Sequence, residues 1–376
     1  MRGIRFKFKE LLFGGILLLL LLPAIQHVFN LVEITPLKGS IEKVESKKLT
    51  LDSWFSGDFQ THNEKYINDD FGFRNVFVRI NNEIAFHLYD KAKANGVIIG
   101  KNNYLYELNY LHSYNGTDFI GKDSIDQRME KLKFIQDTLE KLNKTVLVVF
   151  AAGKGFYYPE YFPTEFKVKR SLTNYNYYLK KSKQLKINYI DFNSYFVKNK
   201  AKSKYPLYPQ YGIHWSKYGM ALAADSMISY IENNRNIDMN NLTWKKVSLE
   251  DPKEEDFDIE DGMNLLCRLK SFQMGYPELH FEQDKQKTKP NVLMISDSFY
   301  WGMFNFGISS VFNKSHFWYY NQEIYPETFT SPLTTDKVNL KKEIQDHDVI
   351  IIMATPATLP NFGWGFIEKA YKEIRD

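Results

Sequence analysis

Cysteine is almost absent from this chain. A single residue, Cys267, excludes an internal disulfide and any multi-thiolate metal site. Charge of one sign is missing as well. The 49 Lys and Arg nearly balance the 45 Asp and Glu, and the formal net charge is only +4. No basic domain or long like-charge block exists, which argues against a nucleic-acid partner. There is no GxxxxGK[ST] pattern, so a phosphate-cradling P-loop is excluded. There is no internal repeat and no low-complexity tract. After the first thirty or so residues, no segment is apolar enough to span a membrane.

The N-terminus is where the chain is distinctive. Arg2, Arg5, Lys7 and Lys9 face only Glu10, and Leu11–Val28 then contains no Asp, Glu, Lys or Arg. About 20 apolar residues cross the hydrocarbon core, so this stretch is just long enough. Lys and Arg stay on the cytoplasmic side, which sends everything after about Leu31 outward. No small-x-small cleavage site follows the run, because Pro23, Gln26, His27 and Phe29 occupy that region. The expected organisation is a cytoplasmic tip and signal-anchor over residues 1–30, a polar tether over 31–50, and an extracytoplasmic body over 51–376. A cleaved signal peptide is the alternative.

Beyond the anchor, apolar strand-like runs alternate with helical periodicity. Thr145–Ala152, Ile187–Phe192, Asn291–Ser296, Phe317–Tyr320 and Asp348–Thr355 read as strands, several of them near-continuously apolar and β-branched. Gly96–Tyr106 reads as two short strands around a turn. Ser124–Leu142, Thr173–Leu185, Lys217–Glu232, Val338–Gln345 and Phe362–Ile374 read as helices, with Ser216 placed to cap the third. This alternation predicts an α/β fold with a parallel sheet covered by helices on both faces. Thr243–Lys289 is charged and irregular, and reads as an insertion.

In such sheets, reactive residues gather on loops at the carboxyl ends of strands. Ser298 follows one buried strand, at a turn whose backbone N–H groups suit a developing oxyanion; capping by Ser296, Asp297 and Ser298 is the structural alternative. His214, in Gly212-Ile213-His214-Trp215-Ser216, is of the type that takes a serine proton and returns it; a histidine packed beside a tryptophan is the alternative. Gly153-Lys154-Gly155 follows a third strand and serves either as a substrate contact or as a plain turn. Aromatics reach 16%, with 25 Tyr and 29 Phe, suited either to stacking on sugar faces or to a packed core. His214 has no His or carboxylate partner at helical ligand spacing, so no metal ligands and no cofactor are expected.

Taken in order, these pieces resemble the alginate O-acetyltransferase-like branch of the SGNH-hydrolase superfamily, in which the histidine motif precedes the serine motif. The resemblance runs from near Trp54 through Tyr66–Arg74, Ile98–Lys101 with Tyr104–Tyr106, Ala152–Lys154 with Tyr158–Glu160, Gly212–Gly219 and Ile295–Phe299. It implies a flavodoxin-like SGNH fold with Ser298 as nucleophile, His214 as general base and Asp297 as the motif acid. Lys154, Tyr158, Trp215, Tyr300 and Asn321 are expected at the substrate, with Asn321 as a candidate oxyanion donor. The branch carries an aspartate two residues before the histidine; here Gly212 stands in its place. Three explanations follow: another acid such as Asp297 or Asp191 serves, a Ser–His dyad works alone, or catalysis has been lost. The resemblance further implies a bacterial inner-membrane protein with a periplasmic domain, acting on an exported or cell-surface polysaccharide, with a multipass membrane acyltransferase as acetyl donor. The rival readings are a glycan esterase using the same pair, and a non-catalytic glycan-binding or scaffold protein.

Overall fold

The runs Thr145–Phe150 and Val349–Ala354 contain no charged residue, and eleven of their twelve residues are apolar, most of them β-branched. Such strands are stable only where both faces are covered. In a computed structural model, which describes residues 8–39 and 44–375, every residue of both runs is buried. The chain divides into two compact units. The first comprises the chain up to Asn95 together with 260–269, and the second comprises Gly96–Ile259 with the chain from Lys270 onward.

The second unit is built on a six-stranded sheet. Its strands are β3 (Thr145–Phe150), β4 (Tyr189–Asp191), β7 (Val292–Ser296), β8 (Ser315–Tyr319), β9 (Glu323–Tyr325) and β10 (Val349–Ala354), in the order β4-β3-β10-β7-β8-β9. All neighbours are parallel except β8 and β9, whose antiparallel pairing makes the sheet mixed where a wholly parallel one was expected. Tyr320 and Asn321 have positive φ, 49° and 53°, and reverse the chain directly into β9. A connection this short permits only an antiparallel neighbour. The helix Lys122–Glu140 lays Ile125, Met129, Leu132, Ile135 and Leu139 against the alternate residues Val146, Val148 and Phe150 of β3, as its periodicity requires. The helix Phe366–Arg375 adds Ile367 and Ala370 to the same core. The helix Lys217–Arg235 is capped by Ser216, whose side chain accepts from the Gly219 N–H at 3.0 Å.

Two short antiparallel pairs stand outside the main sheet. One joins β1 (Val97–Ile99) to β2 (Leu105–Glu107), as the sequence indicates. The other joins β5 (Leu242–Glu250) to β6 (Met274–Phe281) with a bulge between Trp244 and Val247. The stretch read as an irregular insertion therefore contains an ordered antiparallel pair with a helical connection. Its β5 strand is largely exposed, so it lacks the apolar alternation that would have identified it.

The first unit holds the N-terminal helix, Phe8–Phe29, which is long and apolar enough to cross a membrane. The basic residues Arg2, Arg5 and Lys7 lie outside the described residues, as do 40–43 within the tether. The helices Asp58–Asp70 and Arg74–Tyr89 complete this unit, together with 260–269.

Ile352 is fully buried on β10, between Val148 of β3 and Ile295 of β7. Truncation there leaves a cavity that flanking strands cannot close. Ile352→Ala is expected to lower the unfolding free energy by about 2–5 kcal/mol, read from urea denaturation of the two variants side by side.

Candidate functional site

The carboxyl ends of β3, β7, β8 and β10 converge on one edge of the sheet. β7 ends in Ser296, and Asp297 caps the single turn Ser298–Tyr300 by accepting from the Phe299 N–H at 3.1 Å. This turn leaves Ser298 partly exposed between buried neighbours. The second carboxylate oxygen of Asp297 accepts from the Thr355 N–H at 2.9 Å and from Thr358 Oγ1 at 2.7 Å, at the end of β10. Asp297 is thus a buried staple between two strand ends. Burial raises its pKa against those three hydrogen bonds, and its charge reaches His214 only through space, helping to raise the pKa of that imidazole.

His214 arrives on the loop before the helix Lys217–Arg235. Its Nε2 lies 2.9 Å from Ser298 Oγ. Its Nδ1 donates to Asp258 Oδ2, and Asp258 Oδ1 accepts from the Ile213 N–H at 2.7 Å. The carboxylate partner of the imidazole is therefore Asp258, and neither Asp297 nor Asp191 fills that place. Asp191 caps the helix Phe192–Asn199 and accepts from the Tyr175 hydroxyl at 2.8 Å. Burial pulls the pKa of His214 down, but the charge and hydrogen bond of Asp258 outweigh it, and the net shift is upward.

Gly212 has a steric reason. A Cβ there would lie 2.9 Å from the carbonyl oxygen of Asp256 and 3.0 Å from its carbon. The segment that delivers Asp258 occupies the space that a side chain at 212 would need. The loop is also held from below. Lys154 is fully buried, and its Nζ donates to the carbonyls of Gln210 at 2.8 Å and Gly212 at 2.6 Å. Burial brings its pKa down to about 7, against the attraction of Asp258 and Glu107. Glu107, at the end of β2, has its pKa raised by burial and by Asp258.

The expected substrate contacts separate into two groups. Trp215 borders the site, and its indole N–H donates to the Phe299 carbonyl at 3.3 Å, tying the His214 loop to the Ser298 turn. The other four are buried within the protein. Lys154 is spent on backbone carbonyls. Tyr158 is buried, with its hydroxyl 3.3 Å from the Tyr208 carbonyl. Tyr300 is fully buried, its ring 4.9 Å from that of Phe317. Asn321 donates to the Trp364 carbonyl at 2.9 Å. The strand end that carries Asn321 reaches Ser298 through its neighbour instead: the Tyr320 phenol interacts with both the side chain and the backbone N–H of Ser298, and burial raises its pKa.

A cleft of about 220 Å³ opens over this group, lined among others by Met220, Glu255, Trp301 and Asn305. Two carboxylates, Glu255 and Asp258, line it, and among the described residues no Lys or Arg does. Among the described residues, His316, Glu343 and His347 are the group brought close enough to share a metal ion, within 4.8 Å. They lie at the amino-terminal ends of β8 and β10, away from Ser298. His316 is engaged by Glu343 at 2.8 Å and Glu327 at 3.1 Å, with Lys314 4.0 Å from Glu343, which makes the group a polar network.

Sequence reasoning missed Asp258 and Tyr320. Asp258 sits among eight acidic residues between Glu250 and Asp261, and no spacing relation to His214 distinguishes it. Tyr320 is one of 25 tyrosines, and only its position after β8 marks it.

Several solved structures are similar to the chain at low identity. The O-acetyltransferase domain of Pseudomonas putida AlgJ is 14% identical, with 73% of this chain and 99% of that one covered at a TM-score of 0.46. Bacillus cereus PatB1 is 11% identical, covering 72% and 99% at 0.46. Pseudomonas aeruginosa AlgX is 14% identical, covering 72% and 67% at 0.45. No functionally curated protein matches the sequence significantly. The family model described as SGNH hydrolase-like domain, acetyltransferase AlgX, matches residues 97–290, a span that includes Lys154, His214 and Asp258 and stops just before β7. With more than half of its length inside that match, the chain belongs to the SGNH hydrolase-like AlgX acetyltransferase family.

Proposed function

We propose that this protein is a membrane-anchored, extracytoplasmic O-acetyltransferase that modifies a polysaccharide through an acetyl-serine intermediate. One observation carries the reading: a single imidazole is engaged by Ser298 Oγ on one nitrogen and by Asp258 on the other. Asp258 accepts the Nδ1–H, so the lone pair of Nε2 is directed at the serine hydroxyl.

The chemistry follows from that tautomer. Ser298 Oγ attacks the carbonyl carbon of an activated acetyl donor while its proton passes to His214 Nε2. The imidazolium is balanced by Asp258. The oxygen of the tetrahedral intermediate takes negative charge, and the Ser298 N–H and the Tyr320 phenol are the donors at hand. Collapse breaks the bond to the leaving group, which takes the proton from His214. A sugar hydroxyl then gives its proton to His214 and attacks the acetyl-serine, and Ser298 leaves with that proton restored.

The acetyl donor must reach the outer side of the membrane. This favours a multipass membrane acyltransferase as donor, in a bacterial inner membrane with the N-terminus cytoplasmic and the main body periplasmic. A cleft lined by Glu255 and Asp258, with no Lys or Arg among its described lining residues, favours a neutral acceptor over a polyanionic one. The non-catalytic reading loses its main support, because Asp258 supplies the carboxylate that Gly212 lacks. The esterase reading differs only in whether water or sugar takes the acetyl group.

Intact-mass analysis of the full chain in detergent, with an activated acetyl ester, tests the proposal. One acetyl adduct is expected, absent in Ser298→Ala and formed about 10²–10⁴-fold more slowly in His214→Ala. Added neutral oligosaccharides should discharge it faster than uronate oligosaccharides. Discharge at one rate with or without any acceptor would establish an esterase.

The base must be neutral to accept a proton, so acylation should rise with pH through the pKa of His214, with a midpoint above 6.5. Asp258→Asn removes the charge that raises this pKa. The midpoint should move to lower pH, and the plateau rate should fall by up to about 10⁴-fold. A pH–rate profile of the variant that merely scales without shifting would rule out Asp258 as the partner.

An aspartate placed at the usual position in the family motif should not substitute for it. Gly212→Asp forces a side chain onto the Asp256 backbone and is expected to cost about 1–3 kcal/mol. The double variant Gly212→Asp with Asp258→Asn should stay as slow as Asp258→Asn alone, as measured by the same acylation assay.

A further inference from the structure

The first unit carries an apolar face that the acetyl-transfer reading does not use. On the helix Arg74–Tyr89, Phe77, Ile80, Ile84 and Leu88 follow one another at spacings of three, four and four residues, so they form one stripe. They are 47%, 37%, 46% and 72% exposed in the complete chain. The opposite side of the same helix is satisfied within the unit: Asn82, Ala85 and Phe86 are buried, and Asn82 donates to the Met263 carbonyl at 2.8 Å. Four large apolar side chains in line on a water-facing helix would be an aggregation hazard, and a stripe of this kind marks an interaction surface.

What covers it follows from where the helix is pinned. The elbow at Phe71-Gly72-Phe73, just before this helix, packs against the N-terminal helix so tightly that a Cβ on Gly72 would lie 2.2 Å from the Pro23 carbonyl oxygen and 2.8 Å from Gln26 Cβ. The N-terminal helix has 22 residues, a length of about 33 Å, which matches the thickness of a hydrocarbon core. Pro23 lies six residues before its end at Phe29, about 9 Å along the axis at the helical rise. The elbow therefore contacts the span below the level at which the span leaves the bilayer. Gln26 closes the exit by donating to the Val32 carbonyl at 2.7 Å and accepting from the Val32 N–H at 3.2 Å. Arg79 then holds the emerging chain through the carbonyls of Thr35 at 2.9 Å and Pro36 at 2.8 Å. The Phe71 ring stacks on Phe77 with centroids 6.1 Å apart, continuing the elbow into the stripe.

We propose that the helix Arg74–Tyr89 lies in the headgroup region of the membrane that the N-terminal helix crosses, with Phe77, Ile80, Ile84 and Leu88 immersed toward the acyl chains. The occupant of the stripe is lipid. An interfacial helix needs one apolar face and one polar or satisfied face, and this helix has both. The inference rests on reading Phe8–Phe29 as a span, and is independent of the acetyl-transfer chemistry.

The test uses the full chain in phosphatidylethanolamine–phosphatidylglycerol vesicles. Cys267→Ser supplies a cysteine-free background, and single cysteines at Leu18, Phe77, Ile80, Ile84, Leu88 and the exposed Lys141 each carry one environment-sensitive fluorophore. Quenching by a lipid with its nitroxide near the headgroup is compared with quenching by aqueous iodide. The four stripe positions should be several-fold more sensitive to the lipid nitroxide, and several-fold less sensitive to iodide, than position 141. If position 18 is shielded from iodide but the four stripe positions behave like 141, the anchor stands and the interfacial helix is overturned. If position 18 is open to iodide, the span itself fails and the inference falls with it.

Discussion

Two short hydrogen-bonded contacts on one imidazole organise the carboxyl edge of the sheet. His214 can meet Ser298 only if its ring is held in one plane and one tautomer, and Asp258 does both by taking the Nδ1–H. The same carboxylate takes the Ile213 N–H, so backbone and side chain of the loop share one acceptor. Such two-point attachment removes rotational freedom from the loop as well as from the ring, which is what a pre-organised base requires.

That arrangement depends on supports with no chemistry of their own. Lys154 places an ammonium group beneath two loop carbonyls, at the cost of burying a cation. A buried cation is tolerated only where its donors are met and acidic groups stand near, and Asp258 and Glu107 do so here. Asp297 does the corresponding work under Ser298, joining the end of β7 to the end of β10. Lys154, expected as a substrate contact, and Asp297, expected as the motif acid, thus brace the loop of His214 and the turn of Ser298.

The replacement of the motif aspartate by Gly212 is a rearrangement with a local cause. The segment leading to Asp258 passes so close to residue 212 that any side chain there would force the backbone to shift. Carboxylate and histidine do not come from one tripeptide here. They are brought together by the fold across 44 residues of sequence. A carboxylate acts through distance and direction, and its place in the chain is immaterial if those are met.

Much of this protein could be read from its sequence, because it rests on local patterns. The apolar N-terminal run, the buried strands Thr145–Phe150 and Val349–Ala354 and the periodic helix Lys122–Glu140 each announce themselves through residues within one window. Ser298 and His214 were legible as strand-end and pre-helix residues. Other features were decided only in three dimensions. The antiparallel β9 follows from a three-residue reversal, and β5 is too exposed to show alternation. Asp258 looked like any of its acidic neighbours, and Lys154, Tyr158, Tyr300 and Asn321 looked like ligand contacts until packing turned them inward. Periodicity is a property of neighbours along the chain, whereas the partner of a histidine is a property of neighbours in space.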